Sequence, residues 1–295
     1  MQEISMKVIP KTVYTDIVTL PDPMLLGITI HYYNHSDDTL YMKIFGSGPS
    51  PWSSNAVELG SLGSGLNAYI HLDNFLSRSK PSAETTEVLT LTLRGYSDAG
   101  YSQLVYEFQR TCTVIMIKSD DGSWTQDVLN NFDDGTVQGW SILKEAGDDY
   151  YGPPTLSVAT DYILSAPYSL KGYYKVLNMP IRIRVYKSFT LPNKTQIYAI
   201  FNVRAIASPS ATDGYIKYLK FSYYSDVETT LIFLGKDEDI GGTGNNIPKN
   251  KWMRIVVPLP ANITAELRVI LKGFKVTSGG RDLILWLDDF KIISK

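Results

Sequence analysis

The sequence predicts an all-β protein made of two antiparallel β-sandwich domains in series. Three observations predict it. Apolar residues recur at every second position along much of the chain, polar turn signals separate these runs, and no segment shows a sustained helical period with caps. At 295 residues the chain is long enough for one or two domains, each with its own core.

The alternation is read in chain order. Ile28, Ile30 and Tyr32 alternate with Thr29 and His31, and Leu40, Met42 and Ile44 with Tyr41 and Lys43. Leu89, Leu91 and Leu93 alternate with Thr90, Thr92 and Arg94. Tyr106, Phe108, Cys112, Val114 and Met116 form one row against Glu107, Gln109, Thr111 and Thr113. These are half-buried strands of antiparallel sheets. Asn34–Asp38, Gly46–Pro49 and Ser97–Gly100 supply the turns. The stretch Asp73–Ser79 reads as one turn of helix. Residues 1–118 are thus one sandwich, of immunoglobulin-like size.

Lys118-Ser119-Asp120-Asp121-Gly122-Ser123 is short and polar, follows a long strand, and reads as the linker. The pattern restarts in a second sandwich over 124–295. Ile181, Ile183 and Val185 alternate with Arg182 and Arg184. Longer strands are expected over 198–205 and 215–224. Met253, Ile255 and Val257 follow, then Leu267, Val269 and Leu271, then Leu283, Leu285 and Leu287. Two acidic and aromatic brackets enclose this half, Asn131-Phe132-Asp133-Asp134-Gly135 with Gly139-Trp140, and Leu285-Trp286-Leu287-Asp288-Asp289-Phe290. They suggest that the two ends of the second domain meet in space.

Composition excludes several function classes. The net charge of −2, with 20% charged residues and no polybasic segment, gives no electrostatic footprint for nucleic acid or an anionic membrane. No apolar run is long enough to span a bilayer. The N-terminal Met1–Lys7 has no apolar stretch of the kind a secretory leader needs. Either the protein stays in a cell or a virus particle, or the chain begins after a removed leader. The single cysteine, Cys112, sits in an alternating apolar row and reads as a buried, inert thiol. The histidines His31, His35 and His71 show no metal spacing, and no nucleophile elbow occurs. Sequons at Asn34, Asn193 and Asn262 permit glycosylation on export, although chance explains them as well.

The second half resembles the calcium-binding jelly-roll carbohydrate-binding modules attached to glycoside hydrolases. Phe132-Asp133-Asp134-Gly135-Thr136 with Gly139-Trp140 resembles that family's first strand. Ser165-Ala166-Pro167-Tyr168-Ser169-Leu170-Lys171 resembles an inner strand entry, and Trp286-Leu287-Asp288-Asp289-Phe290 its closing strand. The resemblance implies a jelly roll over 124–295. It also implies a structural calcium tying the first strand to the last, held by Asp133, the backbone carbonyl of Lys171, and Asp288. Two departures stand out: Asp at 133 where the family usually has Glu, and Ala-Pro at 166–167 where it has Gly. In the first half, Tyr32–Lys43 resembles a hairpin of the immunoglobulin-like accessory domains of surface proteins, which implies architecture alone.

Sugar binding in such modules stacks aromatic rings on pyranose faces. The candidates are Trp140, Tyr150, Tyr151 and Tyr223, with Tyr173, Tyr174 and Tyr224 beside them. For any one of these rings, packing outweighs ligand contact, and Trp140 in particular follows a glycine at a strand start and suits the core. The acidic run Asp237-Glu238-Asp239 has no partner acid in sequence that would make a glycosidase pair. The first reading is a non-catalytic protein that recognises a glycan or cell-surface receptor outside the cell. The second is a self-assembling subunit of a virion, pilus or surface layer, and the third a glycoside hydrolase.

Overall fold

The computed structural model describes residues 3–146, 152–165, 167–176, 181–207, 214–235, 250–275 and 281–295. The protein is all-β, and its chain divides into two compact units, Met1–Lys118 and Ser119–Lys295.

Unit 1 contains β1 (Ile4–Ile9), β2 (Thr12–Asp16), β3 (Met24–Asn34), β4 (Leu40–Ser47), β5 (Asn55–Leu62), β6 (Asn67–Arg78), β7 (Thr85–Tyr96) and β8 (Leu104–Ile117). One sheet has the order β1-β3-β6, and the other β2-β8-β7-β4-β5. This is a Greek-key sandwich of immunoglobulin type. Its first stretch is shared between the sheets: β1 edges one, and β2 runs parallel to β8 in the other. The alternating rows meet in a core that includes Ile30, Ile44, Leu91 and Val114, all fully buried.

Asp73–Ser79 is not a helical turn. Through Arg78 it belongs to the twelve-residue strand β6, and the register shifts opposite Gly27. Asn74 there takes a left-handed φ of 51°. The bulge turns two successive side chains inward, Phe75 and Leu76 at 2% and 0% exposure, and this breaks the alternation that marks a strand. The sequon at Asn34 is closed to glycosylation. Asn34 is fully buried, and its amide donates to the carbonyls of Asp38 and Leu62, each at 2.8 Å.

Unit 2 contains β9 (Thr125–Asn130), β10 (Ser141–Ala146), β11 (Thr155–Ala159), β12 (Ser169–Val176), β13 (Ile181–Thr190), β14 (Ile197–Ala207), β15 (Gly214–Tyr224), β16 (Glu228–Gly235), β17 (Met253–Pro258), β18 (Thr264–Lys275) and β19 (Arg281–Ser294). One sheet runs β10-β13-β18-β15-β16. The other runs β11-β12-β19-β14-β17, with β9 also paired to β19. The two bracket segments do meet. Asn130 in β9 lies opposite Phe290 in β19, while β12 pairs with the earlier part of the same strand.

An aromatic cluster fills the core beside this junction. Trp140 meets Phe290 edge-on at 5.0 Å between centroids, and Phe290 stacks on Phe189 at 5.4 Å. Phe201 lies 5.8 Å from Phe290 and 4.9 Å from Phe221. Gly235 is required where it stands. Its φ is 110°, and a Cβ there would come within 2.1 Å of the Lys217 carbonyl oxygen.

Two outcomes test this architecture. Cys112 is fully buried, and burial pushes its thiol up to about 11. It should stay unmodified by a thiol reagent at pH 8 in native buffer and react fully in denaturant; rapid native labelling would contradict the packing. Phe290→Ala should cost about 3–5 kcal/mol in urea unfolding of unit 2, the usual range for an aromatic cut from a core. A loss below about 1 kcal/mol would show that the cluster is not the centre of that core.

Candidate functional site

The sequence candidates scatter. Trp140 is 3% exposed, donates its indole N–H to Asn130 Oδ1 at 3.2 Å, and packs on Phe189 and Phe290. It is a core residue and not a sugar platform. Tyr223 is half-buried against the same core, so its neighbour Tyr224, 39% exposed, is the outward ring of the pair. Tyr150 and Tyr151 lie outside the described residues.

The three oxygens that the resemblance assigns to calcium have other commitments. Asp288 is fully buried. Its Oδ2 accepts the Leu164 and Ser165 N–H groups at 2.9 and 3.1 Å, and its Oδ1 accepts the Ser165 hydroxyl at 3.1 Å and the Asp289 N–H at 2.8 Å. Burial pushes its carboxyl above the usual carboxylate range, while the Leu164 and Ser165 N–H donors oppose that shift. Lys171 lies on β12 with a strand on either side, so its carbonyl belongs to a ladder whichever way it points. Asp133 is exposed and takes the Asn131 amide. Calcium seeks six to eight oxygens, and this set does not fit it as arranged. Among the described residues no three His, Cys, Asp or Glu side chains group as a metal site. At this corner backbone N–H groups satisfy the buried carboxylate.

A different surface brings chemistry together: the face of β10-β13-β18-β15-β16 turned away from the core. Strand periodicity places it. Leu267, Val269 and Leu271 of β18 point inward, so Glu266, Arg268, Ile270 and Lys272 point away from that core, although Arg268, Ile270 and Lys272 are themselves covered, at 8%, 0% and 6% exposure. Register then builds rows across the sheet. Ser188, Glu266, Tyr224 and Glu228 form one, and Tyr186, Arg268, Ser222 and Thr230 the next. Leu143, Arg184, Ile270, Lys220 and Phe233 form a third.

Opposite charges link these rows into a chain. Arg182 Nε lies 2.9 Å from Glu145 Oε2, and Arg184 spans Glu145 and Glu266 at 3.4 and 3.6 Å. Arg268 binds Glu266 at 2.6 Å and reaches Glu228 at 3.7 Å, while Lys220 pairs with Glu228 at 2.8 Å. The side chains of Arg184, Glu145 and Arg268 keep only 14%, 16% and 10% of their exposure, so each charge needs its partner. Guanidinium groups also lie over two rings, Arg184 at 5.0 Å from Tyr186 and Arg268 at 4.1 Å from Tyr224. Arg184 Nε makes no aligned hydrogen bond among the described residues.

Chemically, this face offers fixed carboxylate acceptors, planar cationic donors and aromatic surface within one patch. Sequence reading missed it because its charges are spread over five strands and meet only through register. The one local signal was the alternation Arg182, Arg184 against Ile183, Val185.

Glu228 supplies a pH test. Burial works to raise its carboxyl, but the Lys220 and Ser222 hydrogen bonds, then the Lys220 and Arg268 charges, bring it below the ordinary 4.5. A folded value below the unfolded one stabilises above the unfolded value, and that contribution is lost as pH falls through the folded value. Glu228→Gln should therefore lower the melting temperature at pH 7 and narrow its gap to the parent as pH drops below about 4; a gap constant from pH 7 to 3 would refute the pairing. For the corner, Asp288→Ala should cost about 1–3 kcal/mol, because it removes the acceptor of two part-buried N–H groups. It should also speed hydrogen exchange at Leu164 and Ser165. Unchanged exchange at both would remove the cap.

No family model matches this chain, and no curated protein matches it. Solved structures do. It is similar to a structure from work on the promiscuous specificity of carbohydrate-binding modules of the β-sandwich superfamily, at 11% identity and a TM-score of 0.39, over 98% of this chain and 96% of that one. It is also similar to a mannan-recognising carbohydrate-binding module, at 10% identity and TM-score 0.35, over 59% of this chain and 99% of the other. A third is a cleaved adhesin domain of Lys-gingipain from Porphyromonas gingivalis W83, at 14% identity and TM-score 0.34, over 58% and 100%.

Proposed function

We propose that unit 2 is a non-catalytic glycan-recognition domain that binds through the outward face of β10-β13-β18-β15-β16. The observation that carries this is the cross-sheet chain Glu145–Arg184–Glu266–Arg268–Glu228 flanked by Tyr186 and Tyr224. Sugars present hydroxyls that both donate and accept, and C–H faces that stack on rings. A patch of alternating carboxylates and guanidiniums around tyrosines answers all three needs. Pairing also argues against cleavage. A glycosidase needs one carboxyl held protonated near neutral pH, whereas Glu228 is held ionised by Lys220 and Arg268. The acidic run 237–239 lies outside the described residues. Extracellular action on a glycan or a glycan-bearing receptor follows from this reading. No helix among the described residues is long and apolar enough to cross a membrane.

A glycan array followed by calorimetry tests the proposal. Binding should weaken about tenfold or more in Tyr224→Ala and in Arg184→Ala, with no release of reducing ends on prolonged incubation. It should persist in chelator, since no step here needs a metal. No binding to any glycan by a folded protein, or binding indifferent to both substitutions, would overturn it.

A further inference from the structure

Unit 1 carries a second site. A groove of about 660 Å³ is lined by Met6, Lys7, Val8, Ile9, Lys11, Thr90, Gln109, Arg110 and Thr111. That volume lies within the range of small-ligand pockets. We propose that this groove binds a small, hydroxyl-bearing acid through its oxyanion, a carboxylate or sulfate carried on a ring of saccharide size.

Charge is the first argument. Lys7, Lys11 and Arg110 converge on the groove, and none of its lining residues is acidic. Among the described residues none of the three makes an ion pair. Elsewhere in unit 1, by contrast, Lys43, Arg78 and Arg94 are each paired to a glutamate. The Arg110 guanidinium carbon lies 4.3 Å from the centre of the Phe108 ring.

The position of Arg110 is the second. Phe108, Cys112, Val114 and Met116 are the inward row of β8, buried at 5%, 0%, 0% and 1%. Arg110 occupies that same row yet is exposed. A guanidinium in a core row is tolerated only where the sandwich opens, and here it opens into the groove.

Backbone geometry is the third. The His35 N–H donates to the Glu3 carbonyl at 2.7 Å, which marks residues 3 and 35 as a hydrogen-bonded pair. Alternation then gives Ser5, Lys7 and Ile9 to β3 and turns the amide groups of Met6 and Val8 to the free edge of β1. Across the groove the Thr113 N–H donates to the Lys11 carbonyl at 3.1 Å, and β2 pairs with β8 only from Thr113 onward. The amide groups of Gln109 and Thr111 therefore lie on a stretch of β8 that β2 leaves uncovered. Two strand edges and two threonine hydroxyls surround the cations, above apolar surface from Met6, Val8 and Ile9, while the Gln109 amide is held by Glu107 at 3.1 Å. That mixture suits a polar ring bearing an anion better than a bare ion.

The test uses the full chain, labelled with ¹⁵N, and three probes: inorganic sulfate, glucuronic acid and glucose 6-sulfate. Saturable amide shifts confined to residues 6–11, 90 and 109–111 are expected with at least one of the two sugar acids, weakening as sodium chloride rises. Response to only one of them identifies the anion and supports the site. Lys7→Ala and Arg110→Gln should each weaken binding about tenfold, and because both side chains are exposed the spectrum elsewhere should not change. Saturation by sulfate with neither sugar acid binding would overturn the ring-bearing ligand. No saturable shift with any probe at about 10 mM, a millimolar Kd being the weakest specific binding at issue, would overturn the site, as would binding undiminished in both variants. None of these readouts depends on the face of unit 2, so either proposal can fail without the other.

Discussion

Unit 2 depends on one strand. β19 takes β14 along one edge, and along the other it takes β12 for its first part and β9 for its last. It also brings Trp286, Asp288 and Phe290 to their places. Phe290 joins the aromatic core, Asp288 ties down the chain at Leu164 and Ser165, and the Trp286 indole N–H donates to Asp161 at 3.1 Å. A buried carboxylate carries a desolvation cost that only a full set of donors offsets. Here four donors meet it, so the corner is specified by hydrogen bonds as much as by apolar packing. The other sheet of the unit is then free to keep charged residues on its outward face, because its inward rows rest on a core closed by β19.

The fold was legible because alternation is a local property. The inward rows of β3, β4, β7 and β8 can be read directly from Ile28 to Met116, and the bracket motifs point to the junction of β9 with β19. Two kinds of feature escaped. The bulge at Asp73-Asn74-Phe75 puts two consecutive residues in the core and so imitates a helical spacing. The candidate site escaped because Glu145, Arg184, Glu228 and the Glu266–Arg268 pair lie far apart in sequence, and only the strand order makes them neighbours. The resemblance misdirected attention in a specific way. It singled out Trp140 and Asp288 for ligands, whereas packing against Phe290 and capping of Leu164 and Ser165 account for both.

The two candidate surfaces use cations differently. On the face of unit 2, guanidiniums and carboxylates are paired with one another, so a ligand meets oriented hydrogen-bond groups. The groove of unit 1 is lined by Lys7, Lys11 and Arg110 and by no acidic residue, so a ligand meets a field as well as donors. Salt should discriminate between such surfaces, since screening weakens a net field more than it weakens short, paired contacts.

The position of β19 also has a consequence for how the chain is made. The strand on which three others pair is the last in chain order among the described strands, and so the latest of them to be synthesised. β9, β12 and β14 must wait on the ribosome with unsatisfied edges and exposed apolar rows until it emerges. Unit 1 faces no such delay, since all its strands are complete by residue 117. The first sandwich can fold while the second is still being translated, and the interval before β19 appears is when unit 2 is most open to mispairing with another chain.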